Sequence, residues 1–217
     1  MSTRRHLFIL YLILYVAVFL FKIPNFIMNG FLLSLFNMFV YLILFFSGLV
    51  LYHSTFKDNL NWVLTNKLKT LLILFLGFIG ENIANLLAAL VITSSKIPNA
   101  LTNDSNIIQV SSKFPPIIIL LILGIAGPVV EEIFYRQILV TKLSQTIPSL
   151  FAIVVSSLLF ASVHVHHITF SELILVTPHF FSGIVLGVIY IKTNNVLFTI
   201  ILHVFLNITG LIPLFLS

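Results

Sequence analysis

Long apolar stretches separated by short polar ones dominate the chain. The apolar runs cover residues 7–21, 31–51, 70–92, 115–139, 149–163, 173–191 and 196–216. A helix needs roughly 20 apolar residues to cross a bilayer core of about 30 Å. The pattern therefore predicts an all-α fold, a polytopic integral membrane helix bundle with about seven transmembrane helices.

The polar connections between these runs predict two further features. Residues 54–69 combine lysines with Trp62 and Leu64, a mixture typical of a short helix that lies in the membrane interface. Residues 93–113 are rich in Ser, Asn and Thr, and we expect them to form the longest polar loop. No internal repeat or change of composition divides the chain, so we predict a single transmembrane domain over residues 1–217.

Composition supports a membrane protein and excludes several other classes. The chain is 59% hydrophobic and 8% charged, whereas soluble domains have about 25% charged residues. It has no cysteine, which excludes disulfides and a thiolate nucleophile. The net charge is +5, but the basic residues lie singly or in pairs between apolar runs and form no basic face. We therefore expect no binding to nucleic acid.

The distribution of basic residues predicts the orientation in the membrane. With seven spans, the side of the amino terminus holds Arg4, Arg5, Lys57, Lys67, Lys69, Lys142 and Lys192. The opposite side holds Lys22, Lys96 and Lys113. Cytoplasmic loops of membrane proteins carry an excess of Lys and Arg, so we predict a cytoplasmic amino terminus.

Two adjacent glutamates lie within the fourth apolar run. Burying a charged side chain at a helix centre costs roughly 2.5–3.5 kcal/mol on insertion scales, so such residues are functional candidates. Glu132 and Arg136 are four residues apart and can pair on one helix face. Glu131 lies about 100° around the helix and is left without its own cation, which makes it available as a general base.

Polar side chains also end the fifth run and interrupt the seventh. The sequence FASVH contains Phe160 and His164, and HVFLN contains His203 and Asn207 on one helix face. Glu131 and His164 can hold and deprotonate a water molecule. His203 and Asn207 carry N–H donors that can stabilise an oxyanion. These groups suffice for amide hydrolysis without a covalent intermediate.

Counting residues from the cytoplasmic helix ends gives the depth of these groups. About 1.5 Å per residue places Glu131 and His203 roughly 12–15 Å deep, and His164 nearer 24 Å. We therefore expect the helices to tilt, or the fifth helix to begin later than Ser149, so that the three side chains meet.

Three motifs together resemble one family. EEIFYR, FASVH and HVFLN fit the patterns EExxxR, FxxxH and HxxxN, in that order. The chain thus resembles the CPBP family of intramembrane proteases, named for CAAX-protein and bacteriocin processing and also called Abi. The resemblance covers roughly residues 127–207. It implies a protease-like motif core at about 115–217, with catalytic residues on the fourth, fifth and seventh helices.

The resemblance implies a role for each motif residue. Glu131 activates the water with His164, and His203 and Asn207 form the oxyanion hole. The supporting residues are Glu132, Arg136 and Phe160. We favour a metal-free, glutamate-type site without a cofactor, because the chain has no HExxH motif. The alternative is a zinc site formed by Glu131, His164 and His203.

The implied activity is that of an intramembrane endopeptidase acting on a peptide or a membrane-associated protein. The setting is CAAX-processing-like and, we expect, a bacterial cell membrane, with a link to bacteriocin maturation or self-immunity. Two alternatives stay open: a non-enzymatic membrane immunity or binding protein on the same scaffold, and an ion or proton transporter that uses Glu81 and Glu131. The sequence predicts neither the oligomeric state nor the cleavage site.

Other polar features have ordinary structural explanations. We expect Glu81 to hydrogen-bond to a neighbouring helix, with a place in the substrate cavity as the alternative. His166 and His167 are typical of a helix end at the interface. Gly183 and Gly187 form a GxxxG pattern, which predicts close helix packing.

Overall fold

The computed structural model describes residues 2–97 and 101–216, and all regular structure within these residues is helical. The α-helices are α1 (Ser2–Tyr15), α2 (Gly30–Leu51), α3 (His53–Thr65), α4 (Lys67–Ser95), α5 (Thr102–Ser111), α6 (Pro116–Ile119), α7 (Gly127–Glu132), α8 (Thr141–Leu143), α9 (Ser149–Ser162), α10 (Phe170–Leu175), α11 (Thr177–Thr193) and α12 (Val196–Leu211). Short 3₁₀ helices cover Ile23–Phe26 and Ile212–Phe215. The predicted all-α class is confirmed.

Six helical segments in the described part are long and apolar enough to cross a membrane. They are Thr3–Leu20, Gly30–Leu51, Lys67–Ser95, Pro116–Leu143, Phe170–Thr193 and Val196–Phe215. The fifth apolar run forms a helix over Ser149–Ser162, but its 14 residues fall below the length of a span. The chain is therefore an integral membrane protein with about six candidate spans, and the predicted count of seven is not confirmed.

The segment Pro116–Leu143 is the centre of the bundle, and we call it the central segment. In its apolar 18-residue window, 67% of the residues are buried, against 17–39% in the corresponding windows of the other five spans. It is α-helical at α6, α7 and α8, and π-helical at Leu120–Ala126 and Ile133–Val140. Its side chains form the main core with those of α1 and α2. The other helices present apolar side chains outward, where lipid would contact them.

The GxxxG pattern packs α11 closely against α9. A Cβ atom added to Gly187 would lie 2.7 Å from a side-chain carbon of Ile153, and one added to Gly183 would lie 2.9 Å from the Cβ of Ser157. Only glycine allows the two helices to approach so closely. The prediction of close helix packing at these positions is confirmed.

The two polar connections differ in how well they were predicted. The expected helix in residues 54–69 is present as α3, where the carbonyl of Asn59 accepts a hydrogen bond from Asn195 Nδ2 at 3.2 Å. The expected loop over residues 93–113 is wrong in part, because it contains α5. Residues 98–100 of that stretch lie outside the described residues.

A carboxylate from a distant segment stabilises the start of α5. Glu172 Oε1 accepts hydrogen bonds from the backbone N–H of Thr102 at 2.8 Å and from its hydroxyl at 2.5 Å. A negative group at a helix amino terminus satisfies unpaired N–H groups and complements the helix dipole. This cap comes from 70 residues away, so local composition could not reveal it.

Candidate functional site

The two adjacent glutamates end α7, between the two π-helical stretches of the central segment. Both side chains are buried, with Glu131 6% exposed and Glu132 0% exposed. A π-helical turn changes the direction in which the following side chains point, and such turns are frequent at functional sites. Adjacent residues of a helix point about 100° apart, so the two carboxylates have different neighbours.

Glu132 is bound by partners from the central segment and α12. Its Oε1 accepts a hydrogen bond from Arg136 Nη1 at 2.9 Å and lies 2.8 Å from His203 Nδ1. Arg136 also donates from Nη2 to the carbonyl of Gly183 on α11 at 3.3 Å. The predicted i, i+4 pair is therefore present, and it connects three helices in the interior of the bundle.

Glu131 has fewer partners and faces a cavity. Its Oε1 accepts a hydrogen bond from the Tyr41 hydroxyl at 3.2 Å, and its Oε2 lies 3.6 Å from His203 Nε2. Because His203 Nδ1 contacts Glu132, the imidazole lies between the two carboxylates. Nδ1 carries the proton that Glu132 accepts, and Nε2, on the other side of the ring, faces Glu131.

The cavity has a volume of about 600 Å³, within the usual range of roughly 300–1,000 Å³ for ligand sites. Polar side chains at its inner end include Glu131, His164, His179, His203 and Asn207. All four residues predicted as catalytic thus line one cavity. They come from α7, α12 and the turn after α9.

His164 lies two residues beyond the end of α9. Its ring stacks on that of His179, with centroids 3.8 Å apart and planes at 28°, and within the described part of the chain its Nε2 has no hydrogen-bond partner. Burial lowers the pKa of His164 well below its ordinary value, and the nearby His179 and His203 lower it further. The ring is therefore neutral at pH 7 and can accept a hydrogen bond.

The ring of Phe160 packs against two histidine rings of the site and against the Arg136 guanidinium. It is 2% exposed, and its ring centroid lies 5.3 Å from that of His164 and 5.6 Å from that of His203. Arg136 places its guanidinium carbon 4.9 Å from the centre of the same ring. The Phe160 ring therefore separates these three groups, and its supporting role stays a prediction.

Counting residues placed His164 deeper in the membrane than His203. In the structure, however, only the ring of Phe160 lies between the two histidine rings. The fifth helix begins at Ser149 as the apolar run indicated, so a later start is not the reason.

Asn207 is held in a fixed orientation by the central segment. Its Nδ2 donates to the carbonyl of Leu123 at 3.0 Å. Leu123 lies in the first π-helical stretch. An amide nitrogen has two hydrogens, so one remains for a ligand in the cavity.

Two residues of the site were missed by sequence reasoning. Tyr41 contacts Glu131 from α2, and His179 stacks on His164 from α11. Tyr41 is a single tyrosine in an apolar helix, and nothing in the pattern singles it out. His179 offered a signal, since it is a third histidine within the apolar runs.

The remaining polar residues have varied outcomes. Glu81 is 1% exposed, lines no part of the cavity, and neither of its oxygens has a hydrogen-bond partner among residues 2–97 and 101–216. A place in the cavity is therefore not supported, whereas a hydrogen bond to a neighbouring helix stays a prediction, with Ser182 on α11 as its candidate partner. His166 lines the cavity, and His167 is exposed after the end of α9.

No set of three or more His, Cys, Asp or Glu residues converges for metal binding in the described ranges. That includes the set Glu131, His164 and His203. The metal-free site stays a prediction, and so does its zinc alternative.

The fold and site define a class, a polytopic helical membrane protein with a buried cavity lined by glutamate, histidine and asparagine. The family model described as "Type II CAAX prenyl endopeptidase Rce1-like" matches residues 113–209, which contain all three motifs. This segment, which is slightly less than half of the chain, is similar to that protease family, and the resemblance to the CPBP family is confirmed. Searches of curated proteins and of solved structures gave no match.

Proposed function

We propose that the protein is an intramembrane endopeptidase in which Glu131 and His164 activate a water molecule. The unequal surroundings of the two glutamates carry this proposal. Glu132 is bound to Arg136 and His203, whereas Glu131 receives one hydrogen bond from Tyr41 and faces the cavity. A carboxylate kept available in the same cavity as a neutral histidine is suited to general-base work.

The first half of the reaction forms a tetrahedral intermediate. Glu131 takes a proton from water while the water oxygen attacks the carbonyl carbon of the scissile peptide bond. The neutral ring of His164 accepts a second hydrogen bond from the same water and orients it. The electron pair of the carbonyl moves to its oxygen. There the doubly protonated ring of His203, which lies between the two carboxylates, donates from Nε2–H, and Asn207 donates from Nδ2–H.

The second half releases the two products. The carbon–nitrogen bond breaks, and the proton held by Glu131 passes to the departing nitrogen, which leaves as an amine. The other product is a carboxylic acid. Glu132 takes no part in the proton transfers, because its role is to hold His203 and Arg136 in place.

The substrate is a peptide or a segment of a membrane-associated protein. The match of residues 113–209 to a CAAX endopeptidase family model supports a peptide bond as the target. We favour a bacterial cell membrane as the setting, with bacteriocin maturation or self-immunity as the process, and a reaction that requires no metal.

A comparison of protein termini in membranes tests the proposal. Cells would express the wild type, Glu131→Gln or Glu81→Gln at equal levels, and new termini would be identified by mass spectrometry. Glu81→Gln is the matched control, since it makes the same change at a buried glutamate outside the cavity. We expect cleavage with the wild type and with Glu81→Gln, and none with Glu131→Gln.

Identical termini in all three strains would refute the peptidase. If a protective phenotype also persisted in Glu131→Gln, the protein would act as an immunity or binding factor. Proton flux through liposomes that disappears in Glu131→Gln, without any cleavage, would instead support a transporter.

A further inference from the structure

The cavity opens towards one end of the helix bundle. Its inner end lies at Tyr41, Glu131 and His203, which are near the middle of α2, the central segment and α12, respectively. From there its lining extends to the end of α1 and the residues after it, the start of α2, most of α5 and the turn after α9. Among the described residues, nothing from 42–97 or 132–162 lines it.

Contacts between helix ends define the two ends of the bundle. At one end, Lys22 Nζ donates to the carbonyl of Val165 at 2.6 Å, and Phe31 stacks on Phe114 at 5.1 Å. Glu172 binds Thr102 at the same end, which we call the cavity face.

The opposite end is held by different contacts. Arg4 Nη2 donates to the carbonyl of Leu51 at 2.6 Å, Thr141 Oγ1 lies 2.7 Å from the Tyr190 hydroxyl, and Asn195 binds α3. We call this end the basic face.

The two faces differ in positive charge. The chain has 11 lysines and arginines, of which Arg136 is buried in the site. The basic face holds Arg4, Arg5, Lys57, Lys67, Lys69, Lys142 and Lys192. The cavity face holds Lys22, Lys96 and Lys113. An excess of Lys and Arg marks the cytoplasmic side, so the basic face is expected in the cytoplasm.

We propose that the cavity opens on the non-cytoplasmic side of the membrane and receives its substrate there. That a substrate enters the cavity rests on the proposed function, whereas the direction in which the cavity opens does not. A peptide bond then reaches Glu131 from outside the cell, either in an exported peptide or in an external segment of a membrane protein. The cytoplasmic carboxyl terminus of a prenylated protein would face the closed end.

The lining of the cavity fits an extended, largely uncharged peptide. Towards its mouth, the polar lining side chains are mostly amides, namely Asn25, Asn37, Asn103, Asn106 and Gln109. Amide groups can donate to peptide carbonyls and accept from peptide N–H groups. Apolar residues such as Val18, Leu33 and Leu206 form the adjoining wall. Lys22 and Asp104 supply one charge of each sign.

Single cysteines can test the direction of the opening, because the native chain has no cysteine. Ser34→Cys lies inside the cavity and is nearly isosteric, and Asn106→Cys lies on exposed α5 at its mouth. Asn61→Cys and Gln145→Cys are exposed positions on the basic face and serve as matched controls. Each variant would be treated with a membrane-impermeant maleimide in intact and in permeabilised cells.

We expect Ser34→Cys and Asn106→Cys to be labelled in intact cells, and the two control variants only after permeabilisation. The reverse pattern would overturn the proposal, as would labelling of Ser34→Cys only after permeabilisation. Labelling requires no catalysis and can be repeated in a Glu131→Gln background. A failure of the direction and a failure of the peptidase are therefore separate results.

Discussion

Removal of Arg136 should destabilise the protein strongly, because it would leave a buried carboxylate without its cation. Arg136 is 1% exposed and Glu132 is 0% exposed, and their side chains are 2.9 Å apart. Breaking a buried ion pair by removing one partner costs about 3–5 kcal/mol. Loss of the guanidinium over the Phe160 ring adds about 0.5–2 kcal/mol. We therefore expect Arg136→Met to lose about 3.5–7 kcal/mol.

A double variant isolates the cause of that loss. Glu132→Gln combined with Arg136→Met removes both charges of the pair, so neither partner is left charged without the other. Replacing a whole buried pair is often nearly neutral, and we expect the double variant to recover most of the lost stability. The control is Arg5→Met, an exposed position where we expect a change within about 0.5 kcal/mol.

The assay is reversible unfolding of the purified protein in detergent or bicelles, followed by circular dichroism or tryptophan fluorescence. Arg136→Met and Arg5→Met that unfold at the same denaturant concentration would refute the reasoning. The double variant being less stable than either single variant would refute it as well. In that case the packing volume of the two side chains, rather than their charges, would explain their burial.

Three further predictions concern the site and its frame. Tyr41→Phe removes the hydrogen bond to Glu131, and a loss of about 1 kcal/mol in transition-state stabilisation should lower kcat/KM roughly fivefold, measured with a cleaved peptide. Because its pKa is lowered, His164 stays neutral below the ordinary value of about 6.5, so a pH–rate profile should show no acid limb there. Gly187→Ala should cost about 1–3 kcal/mol in unfolding experiments, while Gly210→Ala, with open space beside it, should cost little.

Each of these has a control or a contradicting result. Tyr52→Phe changes a half-buried tyrosine outside the cavity and should leave kcat/KM unchanged. A Tyr41→Phe variant with wild-type kinetics would show that this hydrogen bond does not position Glu131. An acid limb at pH 6.5 that disappears in His164→Gln would mean that the histidine is protonated in its ordinary range. Equal effects of alanine at Gly187 and Gly210 would contradict the packing of α11 on α9.

The sequence predicted those parts of the site that depend on local helix geometry. Glu132 and Arg136 pair because they are four residues apart on one helix, and His203 and Asn207 share a face of α12 for the same reason. The gathering of three motifs at one cavity was predicted from the need of polar groups in a membrane to find partners inside the protein.

Features that depend on contacts between distant segments could not be predicted from the sequence. The hydrogen bond from Tyr41 to Glu131 spans 90 residues, and His179 meets His164 only through the packing of α11 near the end of α9. The polar composition of residues 102–111 predicted a loop, because the Glu172 side chain that caps α5 comes from a distant segment. Apolar length marked residues 149–163 as a span, although the helix formed there has only 14 residues.

Cleavage by the purified protein tests the central claim most directly. The wild type and Glu131→Gln would be reconstituted in liposomes and given the same substrate peptide, identified from the termini found in cells. A general base contributes about 10²–10⁴-fold to a rate, so we expect Glu131→Gln to cleave slower by a factor in that range. A Glu131→Gln rate within a few-fold of the wild type would contradict the claim that this carboxylate activates the water.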